Sequence, residues 1–545
     1  MTIINRFTRR PDRLAALVLA LLLALLPANA SDLASDLGGA FVAADPSGGV
    51  IEEAAPVDMT NADVIIGYIA PLNSKLNPFV CTEQNLISVN QLVFESVVDL
   101  DASLKPVPML ADSWTHDGVT WKFKLRSGIQ FHNGQELTSY DVVRSYDTIL
   151  QAGERNPYYA RLQFIRDMEA TDILEVTVTA RSYGMATLYA MTFPVVQFDT
   201  LTDEMPRGTG PYWYIQWDLD GTVRLEANPL WWKRQPGVHS VLLKRYDTAG
   251  EAIEAIQTNQ IQMLSTNSPH ASLSRKLADL TSLDYTTLTY EMLVPNLGGD
   301  SLMSDLRVRK AVMFAIDRAL LASNAYVDMA VQCEVPIPPN SWLYESQSAI
   351  YYYSPERALA LMNEAGWYDM TGDGKLNRMN GIMVEEPTIT IATYNESTNS
   401  IRENAAEMIA GYLEAIGFNV NVVVETRAKI REHMRERRYD LSLIGVNLSE
   451  VPVVSSLFAS GGGLNYSRWS SDEMEVLLSR ASTAADEATL KKVYSDIQLS
   501  AVEHLPVLGL LFRTGTVLSS RPMGGMSGLR PYDTFNGFEF LDAPH

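Results

Sequence analysis

Cysteine and histidine are scarce in this sequence, and their scarcity excludes several kinds of site. Two cysteines, Cys81 and Cys333, stand among 545 residues, and the seven histidines are scattered. No pair or cluster of these residues has the spacing of metal ligands. We therefore predict no metal site and no cofactor. The sequence is compatible both with a disulfide between the two cysteines and with two free thiols.

Hydrolase motifs are missing as well. The chain has neither a GxSxG nor an HExxH sequence, so a secreted hydrolase, the weaker alternative, would lack both a recognisable nucleophile and a metal centre. The block SWTHDGVTWKFKLRSGIQFHNG holds two histidines, but its Asp117-Gly118 and Asn133-Gly134 pairs are typical of hairpin turns, which explains the spacing. We predict no catalytic residues and no enzymatic activity.

Positive charge is in deficit. The chain has 43 Lys and Arg against 65 Asp and Glu, a formal net charge of -22. Such a surface repels phosphate backbones, so we predict that nucleic acid is not a partner. Hydrophobic residues make up 46%, an ordinary globular value, and 545 residues are too many for one core. The sequence therefore predicts several domains or lobes.

The N-terminus carries an export pattern. Four arginines precede an apolar run at residues 14–26, and Ala28-Asn29-Ala30 offers small residues where signal peptidase cleaves. This pattern predicts a signal peptide at residues 1–30, followed by a flexible, acidic leader at residues 31–60. An uncleaved anchor is the alternative, but Pro27 ends the run before the cleavage pattern. No cysteine follows the run, so the sequence predicts no lipid attachment there.

Beyond the leader, the periodicity predicts an α/β fold. DVIIGYI, TITIATY, FNVNVVVE and YDLSLIG have the composition of strands, and RENAAEMIAGYLEAIG has helical spacing. RVRKAVMFAIDRALLASNAY, at residues 307–326, predicts one long helix. The βαβ alternation of the second half predicts a mostly parallel sheet. Gly208 and Gly210 in GTGPY are interpreted as tight backbone positions near a cleft.

Several blocks, in their order and spacing, resemble one family. They are LNPF at residues 76–79, PVPMLADSWTHDGVTWKFKLRSGIQFHNGQELTSYDV at 106–142, GTGPYWYIQW at 208–217, LRVRKAVMFAIDR at 306–318, and AGWYDMTGDGKLNR. Together they resemble the family 5 extracellular solute-binding proteins of ABC importers, which include dipeptide, oligopeptide and nickel receptors. The resemblance extends from about residue 63 to residue 540.

The resemblance implies a fold and a function. The expected fold is the two-lobed periplasmic-binding-protein type (type II, large peptide-binding class), with a hinge and an interlobe cleft. Lobe I would take residues 61–294 with an extra subdomain, lobe II residues 295–508, and residues 509–545 would return to lobe I. The expected function is a monomeric receptor, exported to the periplasm or the extracytoplasmic cell surface. It would pass a peptide or another small polar solute to ABC permease subunits; a chaperone or adhesion-type protein on the same fold is the alternative.

Ligands of open α/β sheets bind beyond the carboxyl ends of the strands. The loops that follow DVIIGYI, TITIATY and YDLSLIG therefore supply the predicted ligand contacts, which are Leu72, Asn73, Tyr394, Asn395, Asn447, Ser449 and Glu450.

The resemblance also implies two charged ligand contacts that this sequence lacks. Peptide receptors of the family carry an Asp for the peptide's amino group, and dipeptide receptors an Arg before the Tyr-Asn pair. Here no Asp follows YDLSLIG, and Ala392-Thr393 precede the pair. A dipeptide with both charges is thus disfavoured, and a longer peptide, a sugar or another polar solute stays open. Glu450 would select a cation or amine if it faces the cleft; a solvated side chain is the alternative.

The export pattern predicts a mature protein that begins at Ser31. N-terminal sequencing of the protein from the cells that produce it should give SDLASD, because cleavage follows Ala30. An intact form starting at Met1 in the membrane fraction would contradict this expectation.

Overall fold

A computed structural model describes residues 58–277, 279–396 and 399–542. The predicted signal peptide and almost all of the predicted leader lie outside these residues. The described strands, numbered along the chain, are β1 (Val64–Ile69), β2 (Val98–Leu100), β3 (Pro106–Pro108), β4 (Ala111–Asp117), β5 (Thr120–Leu125), β6 (Ile165–Asp172), β7 (Glu175–Ala180), β8 (Tyr212–Trp217), β9 (Val223–Ala227), β10 (Ser240–Tyr246), β11 (Met263–Thr266), β12 (Thr281–Pro295), β13 (Ala330–Gln332), β14 (Arg378–Asn380), β15 (Met383–Glu385), β16 (Thr388–Tyr394), β17 (Asn419–Glu425), β18 (Leu441–Asn447) and β19 (Leu508–Ser519). The described α-helices are α1 (Gln84–Asn90), α2 (Ser139–Ala152), α3 (Tyr159–Leu162), α4 (Ala186–Ala190), α5 (Ala249–Gln257), α6 (Ala271–Ser274), α7 (Leu306–Ala315), α8 (Arg318–Leu320), α9 (Pro355–Glu364), α10 (Ile401–Glu414), α11 (Arg427–Glu436), α12 (Ser455–Phe458), α13 (Asp472–Ser482) and α14 (Glu487–His504).

Capping residues explain where helix α9 begins and why the single helix predicted over residues 307–326 is instead interrupted. Helix α9 begins at Pro355 because the Ser354 side chain accepts a hydrogen bond from a backbone N–H of its first turn. The single helix predicted over residues 307–326 is broken after Ala315. There Ile316 is extended, and the side chain of Asp317 accepts the backbone N–H of Leu320 and starts a new turn. The apolar spacing continues through the break, so periodicity alone misses it.

One sheet of eleven strands runs through the described part of the chain. Its path is β17-β16-β18-β12-β19-β11-β1-β10-β9-β8, with β13 paired to β19. Strand β16 is parallel to β17 and β18, and β1 is parallel to β10 and β11. The parallel pairing expected for the second half is present in β16, β17 and β18. The parallel pairs that β1 makes with β10 and β11 lie in the first half, where the periodicity does not predict them. The two long strands β12 and β19 are antiparallel to their neighbours and join the two parallel groups.

The parallel group β16–β18 and the parallel group of β1, β10 and β11 are joined where the pairing of the long strand β12 changes. The first part of β12, residues 281–286, pairs in register with β19, whereas the part from Thr289 onward also pairs with β18. Between them the β12–β19 register shifts. We call residues 287–289 the crossing segment, since the chain passes from one group to the other there. The lobe boundaries expected near residues 294 and 508 stay predictions.

A second, antiparallel sheet lies in the region for which an extra subdomain is expected. Its order is β4-β5-β7-β6. Strand β5 alternates buried and exposed residues, with Trp121, Phe123 and Leu125 facing the core. Strand β4 pairs with β5 through residues Asp117 and Thr120, which confirms the hairpin turn predicted at Asp117-Gly118.

The histidine in the second predicted turn has a structural role. His132 is buried, and its Nδ1 accepts the backbone N–H of Gly208 at 3.2 Å. Burial lowers the pKa of His132 to about 4, so the ring is neutral and can accept this bond. Gly208 and Gly210 are confirmed as tight positions, because a Cβ on either residue would overlap the Val93 carbonyl.

The two cysteines are free thiols. The Cys333 thiol donates to the carbonyl of Val335 at 3.1 Å, and the Cys81 thiol contacts the carbonyl of Glu83 at 3.9 Å. Of the two alternatives for these residues, the structure thus selects the unpaired one. Burial raises the pKa of Cys81 to about 12, which keeps that thiol protonated and unreactive. None of the helices in the described ranges combines the length and hydropathy that a membrane crossing needs.

The close approach at Gly208 predicts a large difference between two Gly→Ala substitutions. Gly208→Ala should lower the free energy of unfolding by about 1–3 kcal/mol or more, because the added methyl group overlaps the Val93 backbone. Gly411→Ala is the matched control: it lies inside α10 with open space around its Cβ position, and should stabilise by about 0.5–1 kcal/mol. Denaturant unfolding measures both. Equal stability of the two variants would contradict the close packing of this loop.

Candidate ligand-binding site

A cavity of about 990 Å³ lies beside the crossing segment. It is bordered by the carboxyl ends of both parallel groups, since the chain leaves β1, β10 and β11 on one side and β16, β17 and β18 on the other. This is the position where open α/β sheets bind ligands. We call it the polar cavity; its lining residues are Ile69, Asp247, Thr248, Ala249, Gly250, Asn267, Ser268, Pro269, His270, Thr287, Thr289, Tyr326, Met329, Tyr394, Asn395, Glu396, Asn399, Ile401, Arg402, Arg427, Gly445, Asn447, Arg513 and Thr514.

A buried carboxylate organises the floor of the polar cavity. Glu291 of β12 has no exposed surface and binds two guanidinium groups, Arg402 at 2.7 and 3.1 Å and Arg513 at 2.6 Å. Glu396 binds the same two arginines from the cavity side, at 2.8 and 3.1 Å. Burial alone would raise the pKa of Glu291, but the two guanidinium groups hold it below its ordinary value. The four side chains form a charge-balanced network.

The network spans both long strands and the ligand loops. Glu291 lies on β12 and Arg513 on β19. Arg402 lies in the first turn of α10, and Glu396 follows β16. Gly445 of β18 packs directly on the network, and a Cβ there would overlap the Arg402 guanidinium. A glycine is therefore required at this position by close approach.

Tyr394 is packed by arginines. The guanidinium carbons of Arg402 and Arg427 lie 4.4 and 5.4 Å from its ring centroid, and its hydroxyl donates to the carbonyl of Gly445 at 3.3 Å. Cation–π contact of this kind fixes the ring and also positions Arg427 at the cavity wall.

A second cavity, of about 320 Å³, lies on the other side of the crossing segment. Thr287 and Thr289 face the polar cavity, and Leu288 faces this one. Glu450 lines the second cavity, is 8% exposed and binds Arg161 of α3 at 2.5 Å. The alternative of a solvated Glu450 is therefore wrong. Its charge is already compensated by Arg161, which itself donates to the Thr192 hydroxyl at 2.7 Å.

The predicted contact residues fall in three places. Tyr394 and Asn395 line the polar cavity, Ser449 and Glu450 line the second one, and Asn447 lines both. Leu72 and Asn73 are exposed in the turn after β1, and neither is among the residues that line the polar cavity. The role of all seven as ligand contacts stays a prediction.

Sequence reasoning missed several cavity residues, some of which carried a signal. Glu396 and Arg427 each lie two residues beyond the end of a strand, β16 and β17 respectively, so the rule that selected Asn395 applies equally to them. Arg513 lies within a strand and gives no such signal. In the ranges that the structure describes, no three His, Cys, Asp or Glu side chains are grouped as they would be around a metal ion.

Comparison with known proteins identifies close counterparts of this architecture. Residues 105–466 match the family model described as bacterial extracellular solute-binding proteins, family 5 Middle. The oligopeptide-binding protein AppA of Bacillus subtilis is 24% identical over 477 residues, covering 83% of this chain and 86% of that protein. The nickel-binding periplasmic protein of Escherichia coli is 25% identical over 417 residues, covering 72% of this chain and 76% of that protein. A solved nickel ABC transporter structure from Bacillus halodurans aligns with a TM-score of 0.74 at 19% identity, over 87% of this chain and 98% of that one; this likeness shows the fold, two lobes with a cleft between them.

The Glu291 network predicts a large stability difference between two Glu→Gln substitutions, each of which removes one negative charge. Glu291→Gln should lower the free energy of unfolding by roughly 3–5 kcal/mol, because the buried Arg402 and the partly buried Arg513 lose a shared carboxylate. Glu385→Gln is the control: it removes a carboxylate that binds Arg378 at 2.8 Å on an exposed hairpin, and should change stability little. Thermal and denaturant unfolding test the pair. A Glu291 effect no larger than the control would contradict the network.

The stabilisation that Glu291 contributes should be lost at acidic pH. The pKa of Glu291 is lowered in the folded protein, so its contribution is complete above its unfolded pKa of about 4.3 and is lost as pH falls through the folded value. The stability difference between wild type and Glu291→Gln should be constant from about pH 5 to 7 and should shrink below about pH 4. A difference that grows on acidification would contradict this sign.

Proposed function

The chain belongs to the bacterial extracellular solute-binding proteins of family 5 and is a solute-binding receptor of an ABC importer; we propose that it captures a small polar solute in the polar cavity. The observation that carries this proposal is the position of that cavity. It lies where two groups of parallel strands present their carboxyl ends to one another, next to the segment that joins them. Its volume of about 990 Å³ is in the range of pockets that enclose a small molecule or a short peptide.

Family membership alone does not select the solute, because relatives are named for different cargo. These relatives include oligopeptide-binding, dipeptide-binding, heme-binding and nickel-binding proteins. The lining of the polar cavity is more informative. It combines amides and hydroxyls, such as Asn395, Asn447, Thr287 and Thr289, with charged groups, and this suits a polar solute with several hydrogen-bonding atoms.

The crossing segment is the proposed hinge. The β12–β19 register is irregular there, and the two cavities lie on either side of it. A solute that contacts both groups of loops favours a closed arrangement, in proportion to its differential affinity for the closed and open forms. The Arg161–Glu450 ion pair joins α3 to the loop after β18 and would add to the stability of that closed arrangement.

The remaining parts of the proposal concern place and partners. Members of this family are periplasmic or extracellular binding proteins. We propose that the signal peptide at residues 1–30 directs export, that no lipid is attached, and that the mature monomer delivers solute to permease subunits without altering it chemically.

Blocking the polar cavity should weaken solute binding strongly. Native mass spectrometry of the protein isolated from the cells that produce it should detect a bound solute and identify it. Asn395→Trp, which places a large ring in the cavity, should weaken affinity for that solute by at least about tenfold, and calorimetry measures the change. Asn421→Trp, on an exposed position of β17, is the matched control and should bind as wild type does.

A blocked variant that still binds with wild-type affinity would place the solute outside the polar cavity. Scattering provides an independent test of the hinge, because the radius of gyration should fall when the solute binds. An unchanged radius at saturation would contradict closure.

A further inference from the structure

The charged side chains that line the polar cavity differ in whether the protein already supplies each with an ion-pair partner of opposite charge. Three arginines and two carboxylates line it: Arg402, Arg427, Arg513, Asp247 and Glu396. Each one matters to a ligand only if its charge is not already compensated by the protein, because a compensated group gains little from a new partner.

Both carboxylates are compensated. Glu396 accepts hydrogen bonds from Arg402 and Arg513, and these two arginines also share the buried Glu291. Asp247 binds Arg245 at 2.5 Å. A ligand amine that enters the cavity therefore meets no carboxylate that lacks a partner. Glu450, the residue predicted to select an amine, lies in the second cavity and binds Arg161.

Arg427 is the exception among the cavity arginines. Within the described part of the chain, no carboxylate lies at ion-pair distance from its guanidinium. Glu425, the nearest acidic residue along the chain, binds Lys429 at 2.8 Å instead. The contact that Arg427 does make is with the ring of Tyr394, at 5.4 Å from the centroid, and this contact holds it at the wall without neutralising it.

One further feature favours negative charge in the same cavity. The first turns of α5, α10 and α11 all reach the lining, through Ala249, Ile401 and Arg427. Helix N-termini carry partial positive charge, so these three turns add to the attraction that Arg427 exerts on an anion.

We infer that the solute carries a free carboxylate or phosphate group and that Arg427 is the residue that binds it. The inference rests on the proposed function, since it assigns the solute class of the same cavity. Arg427 presents the geometry that carboxylate and phosphate oxygens share, a planar pair of donors on a side chain whose ring contact orients it. The cavity thus selects against solutes whose sole charge is an amine.

The test compares solutes that differ in one charged group. The panel consists of trialanine and its C-terminal amide, acetylated trialanine, and glucose with glucuronate and glucose phosphate, together with the solute identified by native mass spectrometry. The wild-type protein should bind at least one anionic member about tenfold or more tightly than its neutral counterpart. The peptide and glucuronate arms report a carboxylate, and the sugar phosphate arm reports a phosphate.

Substitution assigns the preference to its residue. Arg427→Gln should reduce this preference to within about threefold, and Arg427→Lys should keep part of it, because the positive charge remains while the paired donors are lost. Arg431→Gln is the matched control: it removes an exposed arginine of the same helix that does not line the cavity, and it should leave the preference unchanged. Tm values confirm that all variants fold.

The outcomes separate this inference from the proposed function. A wild-type protein that binds neutral or cationic solutes without preferring any anion overturns the inference, whereas the Asn395→Trp result decides the proposed function. An anionic preference that survives Arg427→Gln, or that is lost equally in Arg431→Gln, overturns the assignment to Arg427. A panel in which no anion binds overturns the inference as well.

Discussion

The shared binding of Glu291 by Arg402 and Arg513 connects both long strands to the loop and helix that follow β16 at the polar cavity. Glu291 has no exposed surface, and its carboxylate would be costly to bury without both guanidinium groups. One arginine comes from the second long strand and the other from the first turn of α10. The network therefore ties the two strands that join the parallel groups to the loop that carries Tyr394 and Glu396.

This arrangement has a consequence for ligand chemistry. Because Arg402 and Arg513 are fully engaged with Glu291 and Glu396, they shape the cavity without adding net charge to it. Arg427, which follows β17, lies outside this network, and no carboxylate of the described residues pairs with it. Its positive charge is therefore available to a solute. Whether an arginine stabilises the fold or can bind a solute thus depends on the carboxylates around it. The residue type alone does not show which of the two applies.

The crossing segment separates two environments by simple strand alternation. Thr287 and Thr289 point to the polar cavity, and Leu288 points to the second cavity, where Arg161 and Glu450 form their ion pair. The proposed solute site and the Arg161–Glu450 ion pair therefore lie on opposite sides of the same short stretch of β12, where the register with β19 is irregular.

Much of this protein is determined by local sequence. The strands TITIATY and YDLSLIG and the hairpin turn at Asp117-Gly118 depend on neighbouring residues, and all three are present. The strand-end rule likewise placed Tyr394, Asn395 and Asn447 at the polar cavity, because parallel strands bring their carboxyl ends together. Only the tertiary structure decided which charged side chains of the two cavities have an ion-pair partner within the protein. Glu450 meets Arg161 across 289 positions of chain, and Arg513 reaches Glu291 from the middle of a strand. No periodicity or motif encodes such pairs, since a charge is compensated by whatever the fold brings within about 4 Å, and that distance depends on how all the strands assemble.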